Sequence, residues 1–175
     1  MEKIIQCDTR QKLKHHERKE TYFESVGYRL IRAKLLVGDY ALPNKTDVSV
    51  DTKQNIGELY NNLIQQHERF RAECQLAQDC GIKLVILVEN DQDIREIDGV
   101  KRWKNPRMYN YYRKRSVYMR KGMKPPPPPA SNMQLVKIMW SMTKKYGVEF
   151  QFCSPEDAGR KVLEILEGTD EVDGG

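Results

Sequence analysis

From Lys83 to Val88 the chain reads Lys-Leu-Val-Ile-Leu-Val, a run of apolar residues with no alternation. A strand with apolar side chains on both faces has to be covered on both faces, which is the situation of a strand inside a sheet flanked by helices. The neighbouring segments supply the cover. From Ile56 to Cys80 the apolar positions Leu59, Leu63, Ile64, Phe70, Cys74 and Ala77 recur at helical spacing, and Gly81 is placed to end that helix. Further strands are predicted over 3–8, 28–41 with 47–53 as a hairpin, and 148–153. Helices are predicted over 16–26, over 132–146 ending near Gly147, and after Ser154-Pro155. Strands alternating with helices predict an α/β layered sheet.

Within that frame one segment carries chemistry. Val48 and Val50 alternate with Ser49, Asp51 and Lys53, so on an extended strand Asp51 and Lys53 leave the same face. Asp39, in Val37-Gly38-Asp39-Tyr40, has only a turn to cross to join them. Two carboxylates and an ammonium at strand ends suit a hard divalent cation and a phosphodiester. In that arrangement Asp39 and Asp51, with the backbone carbonyl of Thr52, hold Mg²⁺. Lys53 orients or deprotonates the attacking water and offsets charge on the phosphate. Spacing alone favours an ordinary surface hairpin with solvated charges, because Asp-x-Lys is a common tripeptide.

The context comes from several matches in order. Lys3-Ile4-Ile5-Gln6-Cys7-Asp8-Thr9-Arg10 is similar to an opening strand ending in Asp-x-Arg, Gly38-Asp39-Tyr40 to a Gly-Asp-Tyr, and Val50-Asp51-Thr52-Lys53 to a Val-Glu-Arg-Lys. Glu68 to Cys74 and Leu84 to Glu89 then match the helix and buried strand that follow. Together these resemble the XPF-type nuclease domain, a branch of the PD-(D/E)XK restriction-endonuclease-like fold, in particular the small stand-alone versions carried by phages and prophages. The resemblance covers residues 3–89 well and 131–167 loosely. It implies a restriction-endonuclease-like α/β fold, a mixed central sheet flanked by helices.

It also implies an active site. Asp8, Asp39, Asp51 and Lys53 are carried over as catalytic, with Glu24 completing the acidic cluster from a helix or standing as a solvated helix acid. Asp8, Asp39, Asp51 and Thr52 are the implied metal ligands, for Mg²⁺ with Mn²⁺ as a substitute. Arg10, Arg69 and Arg71 are implied phosphate contacts, the charges around Glu68–Glu73 being equally an amphipathic face. The pattern departs from the family where Asp51 replaces Glu, Thr52 replaces Arg, and Gly57 takes the place of a later acid, with Glu58 beside it; Glu73 stands where relatives carry Gln. The tandem helix-hairpin-helix modules with which larger relatives dimerise are missing, so a homodimer is left open.

With 175 residues, 39% hydrophobic and 31% charged, the chain fits one domain of ordinary size, expected over 1–167 with a flexible acidic tail at 168–175. No apolar run approaches the roughly 20 residues of a membrane span, and no charged-then-apolar leader opens the sequence. The expected location is therefore the cytoplasm of a bacterial or phage-infected cell. Cys7, Cys74, Cys80 and Cys153 form no C-x-x-C, and His15, His16 and His67 have no zinc-site spacing. Buried apolar roles are expected for the cysteines and solvent-facing ones for His15 and His16.

Gly99 to Lys124 holds ten Lys or Arg and no acid, while the remainder holds twenty basic and twenty-five acidic residues. The net charge of +5 is therefore local to this segment. Lys101, Arg102, Lys104, Arg107, Arg113, Lys114, Arg115, Arg120 and Lys121 are interleaved with Trp103, Tyr109, Tyr111, Tyr112 and Tyr118. Cations neutralise phosphates and ring faces stack on unpaired bases, so an irregular nucleic-acid arm is expected at 99–130, with Pro125–Pro129 as a stiff spacer. The alternative is a solvated loop whose tyrosines pack on the sheet.

The function expected from resemblance and residues together is a Mg²⁺-dependent DNA endonuclease selective for branched, flap or junction DNA. The alternatives are a non-catalytic DNA-binding or recruiting module on the same scaffold, and an RNA-directed nuclease, since phosphate and stacking contacts do not identify the sugar.

Overall fold

The computed structural model describes residues 2–168; the acidic tail expected at the C-terminus lies, from residue 169 on, outside the described residues. Six strands form one sheet, β1 (Lys3–Asp8), β2 (Tyr28–Ala33), β3 (Tyr40–Leu42), β4 (Lys45–Lys53), β5 (Lys83–Glu89) and β6 (Glu149–Cys153), in the order β2-β1-β3-β4-β5-β6. The pairs β1/β2, β4/β5 and β5/β6 are parallel, and β3 is antiparallel to both its neighbours. The hairpin is thus β3–β4 alone. Residues 28–33, expected to belong to it, instead form the parallel edge strand beside β1, because a helix intervenes and a strand-helix-strand crossover returns parallel.

The helices are α1 (Leu13–Ser25), α2 (Ile56–Tyr60), α3 (His67–Asp79), α4 (Pro106–Arg120), α5 (Asn132–Tyr146) and α6 (Ala158–Glu167). β5 shows why the sheet needs both layers. Its Leu84, Ile86 and Val88 enter a core with residues of α2, α3 and α5, while Leu87 enters another with Phe23 of α1 and Val162 and Leu166 of α6. Each buried Leu or Val contributes roughly 1.5–3 kcal/mol relative to exposure, so a polar residue at any of these β5 positions would open one layer.

The helix read as continuous from Ile56 is interrupted. Asn61–Gln65 form a π turn, and Gln66 leaves helical geometry before α3 begins. Asn55 caps α2 by accepting from Glu58 N at 2.8 Å, and Glu58 Oε2 accepts in return from Gln54 N at 2.8 Å. Glu58 is therefore engaged as a helix cap. α5 matches its expected limits because Ser131 and Gln134 make a reciprocal cap and Gly147 adopts the left-handed end. α6 starts at Ala158, three residues beyond Pro155, after a turn.

The basic segment also departs from expectation. Ile97–Arg102 form a 3-10 turn with Gly99 and Val100 buried, and Trp103 is buried against Tyr60, their ring centroids 5.9 Å apart. Trp103 is thus a core residue, and the projecting part begins at Pro106, as helix α4 rather than an irregular loop. None of its fifteen residues is buried, so it carries no core-facing apolar stripe to announce it.

Candidate active site

β4 alternates as expected. Val50 faces the α1/α6 core, which sends Ser49, Asp51 and Lys53 to the opposite face, toward α2 and α3; there Lys53 Nζ stands 6.0 Å from the Phe70 ring centroid. Asp39 reaches the same place through a turn that only glycine permits. Gly38 has φ +76°, and a Cβ there would collide with Ser49 Oγ and approach Val50 O to 3.0 Å. Asp39 N then donates to Val50 O at 2.8 Å, and Asp39 O accepts from Asp8 N at 2.8 Å. That backbone stitch ties the ends of β1 and β4 around Asp39.

The result is a cleft of about 660 Å³ whose walls include Asp8, Arg10, Asp39, Asp51, Thr52 and Lys53, with Arg69 and Glu73 from α3. Thr52 donates to Asp39 Oδ2 from both its backbone N (2.8 Å) and its hydroxyl (2.7 Å). Burial and the neighbouring Asp51 nevertheless push the Asp39 pKa up to about 7. Asp51 Oδ2 lies 2.8 Å from Lys53 Nζ but out of line for a hydrogen bond, and it is a buried oxygen with no donor aimed at it. Burial opposes the charge on Lys53, but Asp51, then Asp39, outweigh it and hold its pKa above that of an ordinary lysine. Lys53 is therefore held as a cation in the metal-free protein, which suits it to an electrostatic role.

Asp8 lines the cleft, but its oxygens are already engaged. Oδ1 accepts from Leu35 N at 3.0 Å, and Oδ2 from Arg10 Nε at 2.7 Å. Arg10 also donates to Leu35 O at 2.9 Å. Asp8 thus stands in the cleft as expected, its carboxylate also clamping Arg10 along the cleft wall.

Glu24 is exposed on α1 and lies away from the cleft walls; it is two turns beyond His15 and His16, the α1 residues that do reach them. The helix-borne acids lining the cleft are Glu58 of α2, engaged at its cap, and Glu73 of α3, whose Oε1 accepts from Gly38 N at 3.0 Å and whose pKa is raised by burial, then by Asp51. Arg69 lines the cleft, whereas Arg71, two residues on, leaves another side of α3 and donates to Tyr146 Oη at 3.5 Å. Arg71 thus lies outside the cleft walls.

His16 was expected to face solvent and is buried instead, its Nδ1 2.6 Å from Tyr40 Oη. Burial and Lys19 lower its pKa to about 4, so it is neutral. Glu89 forms a buried ion pair with Lys19 at 2.8 Å. Of the cysteines, Cys7, Cys74 and Cys153 are buried and Cys80 is exposed. Among the described residues no three His, Cys, Asp or Glu side chains gather closely enough to enclose a metal by themselves. The donor set is therefore a carboxylate pair open to the cleft, the kind Mg²⁺ accepts while keeping its remaining positions for water and phosphate.

Of the nucleic-acid candidates beyond α3, Lys101 pairs with Asp98 at 3.2 Å and Arg102 and Lys104 are exposed. Arg107 stacks over Tyr60, 4.4 Å from its centroid, and donates to Asn61 Oδ1. Arg113, Lys114, Arg115, Arg120 and Lys121 are exposed on α4 or at its end.

No family model matches this chain, and no curated protein does. Among solved structures the fold is similar to XPF from Aeropyrum pernix, with a TM-score of 0.56 at 17% identity, over 95% of this chain and 64% of that one. It is also similar to XPF from Aeropyrum pernix in complex with DNA, with a TM-score of 0.55 at 18% identity and the same coverage. The expected fold, a mixed central sheet flanked by helices, is thereby borne out, with six strands in the sheet and a likeness to the XPF nuclease fold. No helix among the described residues is long and apolar enough to cross a membrane.

Proposed function

We propose that the protein is a Mg²⁺-dependent endonuclease acting on structured DNA, with branched, flap or junction forms as substrates and Mn²⁺ as a substitute cofactor. The observation that carries this reading is the convergence of the Asp39 and Asp51 carboxylates with the Lys53 ammonium in one cleft. Asp39 and Asp51 share the single buried ammonium of Lys53, which pairs with Asp51 at 2.8 Å, so that Asp39, its pKa raised by burial and then by Asp51, is left short of positive charge. A divalent cation answers that need, and Asp39 and Asp51 would hold it. When bound, it supplies Lewis-acid polarisation of the phosphoryl oxygen and activation of water.

The chain's own residues do the rest. Thr52 fixes the direction of the Asp39 carboxylate. Lys53 places a desolvated positive charge beside the reacting phosphate, where it stabilises charge that builds as water attacks phosphorus and the P–O3′ bond breaks. Arg10, held by Asp8, and Arg69 line the approaches to the cleft and suit backbone phosphates on either side of the scissile one. The products are a 5′-phosphate and a 3′-hydroxyl.

The test is a panel of end-labelled forks, flaps, four-way junctions, single strands and duplexes with Mg²⁺ or Mn²⁺. Asp39→Asn and Lys53→Ala should each abolish cutting while retaining binding of the preferred substrate. Cutting that persists in both variants would end the proposal. Binding with no cutting by the unaltered protein under either metal would leave a DNA-binding scaffold.

A further inference from the structure

α4 projects from the body with none of its fifteen residues buried. The structure accounts for its standing there. Asn105 Nδ2 donates to Asn132 Oδ1 at 3.1 Å, Asn132 Nδ2 donates to Trp103 O at 2.7 Å, and Tyr60 Oη donates to Ala130 O at 3.0 Å. The segment leaving the body at Asn105 therefore returns beside its own starting point. Fifteen helical residues reach about 22 Å, and the extended stretch 123–130, with its five prolines, covers about 25 Å at 3.1 Å per residue. The proline run is thus the return strut of a helix-and-strut arm. Arg107, Met108, Tyr111 and Tyr118 are its half-buried positions, and Arg107, Tyr111 and Tyr118, at i, i+4 and i+11, form the side of the helix nearest cover.

The opposite side is the informative one. Tyr109, Arg113, Ser116 and Arg120, at i, i+4, i+7 and i+11, make a single exposed stripe. Arg115 leaves one flank of that stripe, and Lys114 and Lys121 leave the other. No Asp or Glu occurs between Asp98 and Glu149, so no acid neutralises these charges locally. A membrane surface is a poor fit, because the side holding the exposed Tyr109, Tyr112 and Met119 offers one purely aliphatic residue among hydroxylated rings, and Val117 leaves another side of the helix. A single strand, bound from one side by stacked rings, is a poor fit too. Tyr111 is half covered and meets Tyr112 edge-to-face at 5.5 Å, and the cations surround the helix rather than border one groove.

We propose that α4 enters the major groove of a B-form DNA duplex, with Arg113 and Arg120 toward the base edges and Arg115, Lys114 and Lys121 toward the phosphates on the two groove walls. Deepening the proposed function, and resting on its nucleic-acid-binding part, this assigns a duplex arm to the substrate. The fit is one of charge and dimension. A helix with side chains is about 10–12 Å across, the B-DNA major groove is about 12 Å wide and lined by phosphates on both sides, and arginine is the common donor to guanine O6 and N7 there. Duplex RNA does not offer this seat, because its A-form major groove is deep and narrow. The arm is rooted beside the cleft: Arg107 is bonded to Asn61, whose neighbour Asn62 lines the cleft wall.

The test is binding in EDTA, where cutting plays no part, of a fluorescent duplex DNA, the same sequence as duplex RNA, and one of its single strands. Guanine N7 and adenine N3 are mapped in parallel by dimethyl sulfate. The duplex DNA should bind at least about tenfold more tightly than either rival, with guanine N7 protected. Arg113→Ala with Arg120→Ala should remove that protection and weaken binding about tenfold or more. Lys121→Ala should keep the protection and lower the salt slope by about one. The inference is overturned if duplex DNA fails to bind, if single strands or duplex RNA bind as well, if N3 is protected in place of N7, or if N7 protection survives the double variant. N7 protection with no cutting on adding Mg²⁺ or Mn²⁺ would instead count against the endonuclease reading alone.

Discussion

Thr52 gives both its backbone N–H and its hydroxyl to one oxygen of Asp39, at 2.8 and 2.7 Å, so the residue that follows Asp51 on β4 holds the carboxylate that faces Asp51. Those two bonds lower the Asp39 pKa against the stronger upward push of burial and of Asp51. Thr52→Val keeps the shape and the backbone bond but loses the hydroxyl. It should cost about 1.5–3 kcal/mol, the usual range for a hydrogen bond to a charged group, in urea denaturation at pH 8. It should also raise the Asp39 pKa further and weaken Mg²⁺ binding at pH 7 by calorimetry. Unchanged Mg²⁺ affinity would show that Asp39 is not where the cation binds.

Two buried groups give the metal-free protein opposed pH responses. Asp39 releases its proton near 3.8 when unfolded and near 7 when folded. Between those values the folded chain binds more protons, and this contribution falls as pH rises. His16, ordinarily near 6.5, is lowered to about 4 by burial and Lys19. Its contribution is complete above 6.5 and is lost as pH falls toward 4. The two nearly cancel between 4 and 6.5, so Asp39→Asn should make stability rise more with pH across that window and His16→Gln should make it fall. Chemical denaturation across that window, without divalent metal, reads both. Identical profiles for the two variants would contradict the assignment.

The fold and the centre of the site were legible because they depend on short-range geometry. Strand alternation alone put Asp51 and Lys53 on one face, and the unbroken run of β5 demanded helices on both sides. What was not legible depended on which side of a helix meets the sheet. Glu24 and Glu73 are both helix acids in mixed company, and only the packing of α1 and α3 decides that the second reaches the cleft. Arg69 and Arg71 separate for the same reason, two residues apart being far apart around a helix. His16, in a basic and polar stretch, gave no sign of the Tyr40 hydroxyl waiting across the sheet. α4 lacks a buried face altogether, so no hydrophobic period marked it.

Lys19 and Glu89 form an ion pair that is almost fully buried. Removing one partner strands the other without compensation, which typically costs about 3–5 kcal/mol, whereas replacing both by apolar residues is often nearly neutral. Lys19→Met should therefore be severely destabilising at pH 8 and milder as pH falls, since Glu89, its pKa already raised by burial and no longer held down by Lys19, takes up a proton more readily. Lys19→Met with Glu89→Leu should recover most of the loss. Thermal melts of the four-member cycle measure this coupling, and simple additivity would argue against it.

Glu73 and Glu24 allow the site to be tested without touching Asp39, Asp51 or Lys53. Glu73→Gln retains an oxygen to accept from Gly38 N but removes a negative charge that Asp51 senses strongly enough to raise the Glu73 pKa. Since a cation in the cleft is drawn by the sum of these charges, Glu73→Gln should weaken Mg²⁺ binding several-fold with little change in folding stability. Glu73→Ala, which leaves the Gly38 N–H without its partner, should also lose about 1–3 kcal/mol of stability. Glu24→Gln, exposed and outside the cleft, should alter neither quantity. Calorimetric Mg²⁺ titration with parallel urea denaturation separates the three variants. Equal Mg²⁺ affinity in Glu73→Gln and Glu24→Gln would place the cation beyond reach of the α3 carboxylate.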